Sequence, residues 1–348
     1  MKKPFFSLVL ALGILLSGCA RPGLELGIGS AAQTRYTASF LTLFDTVTTI
    51  VGHAESEEAF QATAQAIHDE LLEYHRLFDI YNDYEGLNNL KTVNDAAGEH
   101  AVAVDRKIID MLTDCQEYHR RTNGRVNVAM GSVLRLWHDA RSSSINDPAS
   151  AHLPDEKALE EAARHTSWDT VLIDEAAGTV FITDPQQLLD VGAVAKGWAA
   201  QKAAEHAPKG LLISIGGNVC ATGPKDQSGT PWVIGVQDPA DATDYLHTLY
   251  VSGGSVVTSG DYQRCFAVEG RLYHHIIDPD TLYPSTWWRS VTIVCPDSGL
   301  ADALSTALFL LPQAEGQAIL DQFNAMAMWV AADGSITFSP GFEDIIRT

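Results

Sequence analysis

Basic residues are scarce in this chain. Lys and Arg number 23 against 44 Asp and Glu, a formal net charge of −21. Nucleic-acid binding draws its affinity from concentrated Lys and Arg, so that class is disfavoured. A phosphate-bearing ligand must be held locally, by backbone N–H groups, a few cations or a metal, against the overall field. Cysteine is sparse too, at 5 in 348 residues. Beyond the first of them, Cys115, Cys220, Cys265 and Cys295 show no C-x-x-C spacing and no finger pattern with histidine, which argues against a zinc-finger motif. Spacing does not pair them, and their default reading is as small buried apolar residues. No apolar run reaches the roughly 20 residues of a membrane span, and there is neither an internal repeat nor a low-complexity block. What is present is a chain 46% hydrophobic and 19% charged, with ample core for one large domain or two closely joined ones.

The N-terminus carries a targeting pattern. Met1-Lys-Lys is a positive start, Phe5 to Leu16 is apolar, and Leu16-Ser-Gly-Cys19 follows. The apolar stretch has the length of a secretory signal, and Leu-Ser-Gly-Cys resembles a bacterial lipobox. That resemblance implies cleavage before Cys19 and acylation of Cys19, and two or more acyl chains suffice for stable anchoring. The expected organisation is a signal peptide over 1–18, a lipidated tether over 19–36 and a folded, extracytoplasmic, membrane-tethered domain over 37–348.

Thr37 to Val51 is rich in β-branched and aromatic residues and reads as strand, with Phe44-Asp-Thr46 at its middle. Ser56 is placed to cap an amphipathic helix whose apolar face is Phe60, Ala64, Ile67, Leu71, Tyr74 and Phe78. Leu77 to Tyr81 leads into an Asn- and Asp-rich loop ending near Asn94, and Asp105 to Arg121 is helical, stopped by Asn123-Gly124. Arg125 to Trp137 reads as a short strand and a helix meeting at Met130-Gly131-Ser132, and residues 139–155 as an exposed loop. Pro154 suits the first position of a helix over 155–165. Thr179 to Thr183, Gly210 to Asn218, Trp232 to Val236, Leu246 to Val251 and Ser290 to Val294 read as strands. Hairpins are expected across Glu269-Gly270 and Asp333-Gly334, and helices over Ala301 to Leu311 and 313–324. Strands and helices intermix without strict βαβ alternation, which predicts an α+β fold with a substantial mixed or antiparallel sheet and packed helices.

Several polar constellations stand out. Asp190, Gly192, Lys196 and Gly197 gather where a loop becomes an Ala-rich helix, and free N–H groups with the positive helix end favour an anion such as a pyrophosphate. The plainer reading makes Asp190 an N-cap and Lys196 a solvated charge. Asp302 and Thr306 lie four apart on a mostly apolar helix. They read either as backbone-bonded helix residues or as hard-oxygen ligands of Mg²⁺. Thr258-Ser-Gly-Asp-Tyr-Gln-Arg264 is a polar turn between strand patterns, and His274-His-Ile-Ile-Asp-Pro279 brings a proton-accepting side chain beside an Asp-Pro turn.

Together these stretches resemble the ApbE family, the FAD:protein FMN transferases. Phe44-Asp-Thr46, Asp190 to Gly197, Ser214 to Asn218, Thr258 to Arg264, His275 to Pro279 and Ala301 to Thr306 follow in the family's order. The resemblance implies a single large T-fold-like α+β domain that binds FAD and Mg²⁺. It implies transfer of FMN to a threonine hydroxyl of an acceptor, a flavoprotein subunit of a membrane redox complex, with release of AMP. By the same resemblance, Asp190 and Lys196 contact FAD, and Ala193 (through its carbonyl), Asp302 and Thr306 hold the metal. Phe44, Tyr81, Ala129, Met130, Gly131 and Ile276 match positions around the flavin and adenine. His275 matches the histidine nearest the phosphates, the expected base, with Asp278 beside it as a second catalytic candidate. Two other activities fit the same residues: an FAD pyrophosphatase that delivers FMN and AMP to water, and a flavin-storing lipoprotein without turnover. The chain departs from the family pattern at three places. Phe44-Asp45-Thr46 stands where many members have Met-Gly-Thr, Leu282 replaces a usual glycine, and residues 139–155 have no counterpart.

Overall fold

The computed structural model describes residues 34–348; the lipobox, Cys19 and most of the stretch read as a tether lie outside the described residues. In chain order the elements are β1 (Thr34–Leu43), β2 (Thr46–Ala54), α1 (Glu57–Phe78), α2 (Leu90–Asp95), β3 (Val102–Ala103), α3 (Arg106–Arg121), α4 (Gly131–Asn146) and α5 (Glu156–Ala162). The central part holds β4 (Val171–Asp174), β5 (Thr179–Ile182), α6 (Ala195–His206), β6 (Leu211–Ile215), β7 (Asn218–Ala221), β8 (Trp232–Gln237), β9 (Tyr245–Val251) and β10 (Gly254–Gly260). It closes with β11 (Phe266–Val268), β12 (Arg271–Tyr273), β13 (Ser290–Cys295), α7 (Ser298–Phe309), α8 (Gln313–Leu320), β14 (Met326–Val330) and β15 (Ile336–Phe338).

One eight-stranded sheet in the order β1-β2-β6-β7-β10-β13-β14-β15 is the platform, and every pairing in it is antiparallel. Side chains alternate across a strand, and here the alternation separates two cores. Val257, Ile293 and Trp329 join the helix-side core with α1, α6 and α7, while their neighbours Val256, Val294 and Met328 pack against the β8–β9 hairpin on the other face. The expected α+β architecture is therefore observed, with the sheet antiparallel throughout. Among the described residues no helix is long and apolar enough to cross a membrane.

α1 forms as its periodicity predicts. The Ser56 hydroxyl accepts the Ala59 N–H at 3.2 Å, and Phe60, Ala64, Ile67, Leu71, Tyr74 and Phe78 are all buried. Elsewhere the structure corrects the sequence reading. Thr37 to Val51 is two strands rather than one: Leu43 pairs with Thr46, and Phe44 and Asp45 form a two-residue turn with φ of +53° and +52°, the I′ geometry that matches strand twist. Apolar periodicity continued through the turn and hid it. Residues 125–129 form no strand; Val128–Met130 is a 3-10 turn, because its chain is bonded to the 188–190 loop rather than to a sheet. The first half of the stretch 139–155 is ordered helix, since α4 runs to Asn146 and Ala140 and Ser144 are buried, while 147–155 is loop around a short 3-10 turn. Asp155, not Pro154, starts α5, accepting the Ala158 N–H at 3.0 Å. Asn89 caps α2 inside the segment read as loop, and Thr258, Ser259 and Gly260 belong to β10 rather than to a turn. β1 begins at Thr34, inside the stretch read as tether. Cys115, Cys220, Cys265 and Cys295 are all free, and only Cys265 is not buried.

α6 packs tightly on α7. At Gly197 a Cβ would collide with the Ser298 carbonyl and with Asp302 Cβ, so only glycine lets the two helices approach this far. Gly197→Ala is expected to destabilise the fold by about 1–3 kcal/mol, read from urea denaturation as a lower midpoint at unchanged slope.

Candidate functional site

A cleft of about 620 Å³ opens at the edge of the platform, between the β1–β2 turn, the start of α6, α4, α7 and the 258–276 segment. Its volume is in the range of small-molecule sites. Phe44 reaches it from the turn. Two non-glycine residues in left-handed conformation are costly, and the turn is secured from α1: the Phe44 N–H donates to His75 Nδ1 at 3.3 Å, with the two rings edge-to-face at 5.6 Å.

Just past α1, Asp79 organises the next wall. Its carboxylate accepts the Tyr81 N–H at 2.7 Å, the Asn82 N–H at 3.1 Å and the Tyr84 hydroxyl at 2.8 Å. Burial would raise the Asp79 pKa, but the Asn82 side-chain amide, which donates to Asp79 Oδ2 at 2.9 Å, together with these hydrogen bonds outweighs it and holds the group below its usual range. Tyr81, fixed in this way, stacks on His138 of α4 with ring centroids 5.0 Å apart.

The loop 188–194 forms the opposite side. Gly131 packs against the Leu188 carbonyl with no room for a Cβ, and its N–H donates to that oxygen at 2.9 Å. Asn94 brackets Leu189, accepting its N–H at 2.8 Å and donating to its carbonyl at 2.9 Å. Asp190 is thereby held facing the cleft, where its Oδ1 accepts the Gly192 N–H at 2.9 Å. Burial raises its pKa, against the pull of that hydrogen bond and of the nearby His138 and Arg264.

At the start of α6 the backbone departs from the helical pattern. The Gly197 N–H, which would ordinarily bond the Ala193 carbonyl, donates instead to Asp302 Oδ2 at 2.9 Å. Among the described residues the Ala193 carbonyl accepts no backbone hydrogen bond. Lys196 Nζ lies 3.5 Å from the same Asp302 oxygen and from the Gly192 carbonyl. Ala193, Lys196, Asp302 and Thr306 all line the cleft, and the Asp302 carboxylate bonded at the start of α6 brings a carbonyl, a carboxylate and a hydroxyl to the α6–α7 side of it. This is a hard-oxygen donor set of the kind Mg²⁺ takes when phosphate oxygens and water complete its shell. Among the described residues no cluster of three or more His, Cys, Asp or Glu side chains competes with it.

His275 faces the cleft from the loop that follows β12. Its Nδ1 lies 3.2 Å from the Gln263 carbonyl; a carbonyl only accepts, so this contact assigns the proton to Nδ1 and leaves Nε2 as the acceptor. The ring is open to the cleft, yet burial still pushes its pKa down to about 3, helped by the positive charges of Arg264 and Lys196.

The structure thus gathers Phe44, Tyr81, Met130, Asp190, Ala193, Lys196, His275, Ile276, Asp302 and Thr306 around one cleft. Three expected residues do not line it. Ala129 is fully buried in the helix-side core. Gly131 serves the close packing on Leu188. Asp278 is turned into its own loop, where it accepts the Asp280 N–H at 2.8 Å and faces Arg125 Nη1 at 3.3 Å. Leu282, in that loop, takes φ +63°. Asp45 and Leu282, the two positions where family glycines are replaced, therefore both keep the left-handed backbone a glycine would adopt. Sequence reading missed His75, His138 and Arg141. The signal for the latter two was the helical spacing of Leu134, Trp137, His138 and Arg141, which share one cleft-facing side of α4.

Aromatic walls, a lysine at a helix start and an oxygen-rich corner in one deep cleft are the parts of a nucleotide-handling α+β protein. Comparison with known proteins narrows that class. The profile of the ApbE family matches residues 36–330. An FAD:protein FMN transferase of Klebsiella pneumoniae (strain 342) is 32% identical over 268 residues, covering 73% of this chain and 80% of that protein. Another, from Treponema pallidum (strain Nichols), is 34% identical over 278 residues, covering 74% and 75%. The crystal structure of the ApbE protein of Thermotoga maritima superposes with a TM-score of 0.79 at 29% identity, over 90% of this chain and 100% of that one. The flavin transferase ApbE of Vibrio cholerae shares the fold at 20% identity and TM-score 0.72, over 90% and 99% of the two chains. The chain belongs to the ApbE family.

The raised pKa of Asp190 has a sign that can be checked. A carboxyl held above its usual value of 3.8 in the folded protein stabilises the fold below that value. It withdraws the stability as pH rises through the folded pKa. Asp190→Asn keeps an acceptor for the Gly192 N–H and removes the buried charge. It is expected to melt higher than wild type at about pH 7.5, with the difference gone at about pH 3.5. A gain that persists unchanged at the acid end would mean the effect is not ionisation.

Proposed function

We propose that this chain is an FAD:protein FMN transferase, using Mg²⁺ to move FMN from FAD onto a threonine hydroxyl of an acceptor protein with release of AMP. The observation that carries the reading is the convergence, in one cleft, of Lys196, the oxygen corner of Ala193, Asp302 and Thr306, and a histidine with a free Nε2. The names of the relatives support it. So does the chemistry: a pyrophosphate in an acidic protein needs local neutralisation, and phosphoryl-type transfer is mainly positioning and electrostatic stabilisation.

In this reading Phe44, Tyr81, Met130 and Ile276 hold the ring systems, and Asp190 and Lys196 fix the nucleotide. The acceptor oxygen bonds to the phosphorus of the FMN half as the bond from that phosphorus to the bridging oxygen breaks. The bridging oxygen leaves with AMP, carrying the electron pair, and the hydroxyl proton passes to His275 Nε2. The low pKa of His275 keeps the ring neutral and ready to accept, and the negative charge of bound phosphates raises its basicity toward the working pH. Bound by Ala193, Asp302 and Thr306, Mg²⁺ would neutralise phosphate charge. We further propose that Cys19 is acylated and holds the domain at the outer face of a membrane, which radiolabelled palmitate incorporation lost in Cys19→Ala would support.

The full chain, purified in detergent, is to be incubated with FAD, Mg²⁺ and a threonine-bearing fragment of a membrane flavoprotein, and the fragment weighed by mass spectrometry. A Mg²⁺-dependent gain of one FMN is expected. FMN and AMP without an adduct would indicate the hydrolase, and intact bound FAD the storage protein. Asp302→Ala is expected to lose metal-dependent turnover by at least about a hundredfold. His275→Ala is expected to keep FAD binding and lose transfer by a factor of about 10²–10⁴; an unchanged rate would remove His275 as the base.

A further inference from the structure

The cleft contains three arginines, and they are not equivalent. Arg125 is neutralised, with Nη1 3.3 Å from Asp278 and 2.6 Å from Asp280. Arg141 and Arg264 line the same cleft, and among the described residues neither has a carboxylate within ion-pair distance, in a chain where acidic residues outnumber basic ones 44 to 23. Arg141 is pushed below its usual value by burial and then by the charge of Arg264. Neither guanidinium is committed to an ion pair, so both are available to an anion bound in the cleft, and charge-assisted hydrogen bonds to it would be the strong kind.

The place of Arg264 bears on which anion that is. It follows directly after Gln263, whose carbonyl holds His275 Nδ1 at 3.2 Å, so the segment that orients the histidine also carries the guanidinium. Arg264 itself sits at φ +46°, a left-handed conformation that costs a non-glycine residue about 1–2 kcal/mol and that tends to survive where function demands it. On the other side Arg141 lies one helical turn from His138, which stacks on Tyr81. The two arginines therefore belong to the segment that orients His275 and to the helix whose His138 stacks on Tyr81, in the cleft that also holds Lys196 beside Asp302. The anion that the transferase reading brings to these cations is the diphosphate of the dinucleotide.

We propose that Arg264, backed by Arg141, is a diphosphate clamp that binds phosphate oxygens of the dinucleotide and stabilises the charge that grows on the departing nucleoside monophosphate. This rests on the transferase reading above. A planar guanidinium suits the role because it makes two parallel, charge-assisted hydrogen bonds to phosphate, which an ammonium does not reproduce.

The test compares two ligands that share the flavin ring and differ in phosphate. Dissociation constants for FAD and for riboflavin are to be measured by flavin fluorescence on the full chain and on Arg264→Gln, Arg264→Lys and Arg141→Gln, with FMN-transfer rates alongside. Arg264→Gln is expected to weaken FAD about tenfold and leave riboflavin within about twofold. Transfer should fall further than binding, Arg264→Lys should restore part of the loss, and Arg141→Gln should weaken FAD by a smaller factor. Equal weakening of FAD and riboflavin would assign Arg264 to cleft shape and overturn the clamp, as would FAD affinity and transfer rate both unchanged in Arg264→Gln and Arg141→Gln. Wild-type protein that binds no FAD would overturn the dinucleotide reading and the clamp with it, a result separate from variants that match an FAD-binding wild type.

Discussion

The site depends on one hydrogen bond between two helices. The Gly197 N–H donates to Asp302 Oδ2, and it does so because the absence of a side chain at Gly197 lets α6 rest against Ser298 and Asp302. That single contact has three results. It fixes a carboxylate that is only 3% exposed, which without partners would be costly to keep charged. It diverts a helix N–H away from the Ala193 carbonyl and leaves that oxygen available. It brings Lys196 to the same carboxylate. An anion-holding lysine and an oxygen corner therefore come from the same packing event.

The remainder of the cleft is built from conformations that the chain adopts only because neighbours compel them. Phe44 and Asp45 are left-handed at a hairpin tip held by His75, Arg264 is left-handed beside the histidine's carbonyl partner, and Leu282 is left-handed above Asp278. Charge is treated in the same way. Asp190 is desolvated in the cleft wall at a cost to its ionisation, His275 is kept neutral, and among the described residues Arg141 and Arg264 have no ion-pair partner. Such local violations, tolerated by a large two-sided core, are typical of places where stability has been traded for binding and chemistry.

Much of this was legible in the chain. The α1 face, the cap at Ser56, the hairpins at Glu269-Gly270 and Asp333-Gly334 and the α+β class all follow from periodicity and turn chemistry, which are local. The ordered motifs gave the family and most of the cleft residues. The misreadings share one cause. The β1–β2 turn has no glycine, the 128–130 segment is shaped by hydrogen bonds to residues 188–190, and α4 continues through a Ser-rich stretch because Ala140 and Ser144 are buried. In each, a distant partner overrides the local preference.

The sequence by itself determined the α+β class, which helix faces are apolar, several turns, and which residue types are available for holding a phosphate and taking a proton. Only the tertiary structure decided that Asp278 and Gly131 support the site from outside it while Arg141 and Arg264 enter it. It also decided that the Ala193 carbonyl is free and that His275 presents Nε2. The reason is physical: spacing along the chain sets which way a side chain can point from its own element, but proximity across elements more than a hundred residues apart, as between Gly197 and Asp302, is fixed only when the two cores close around them.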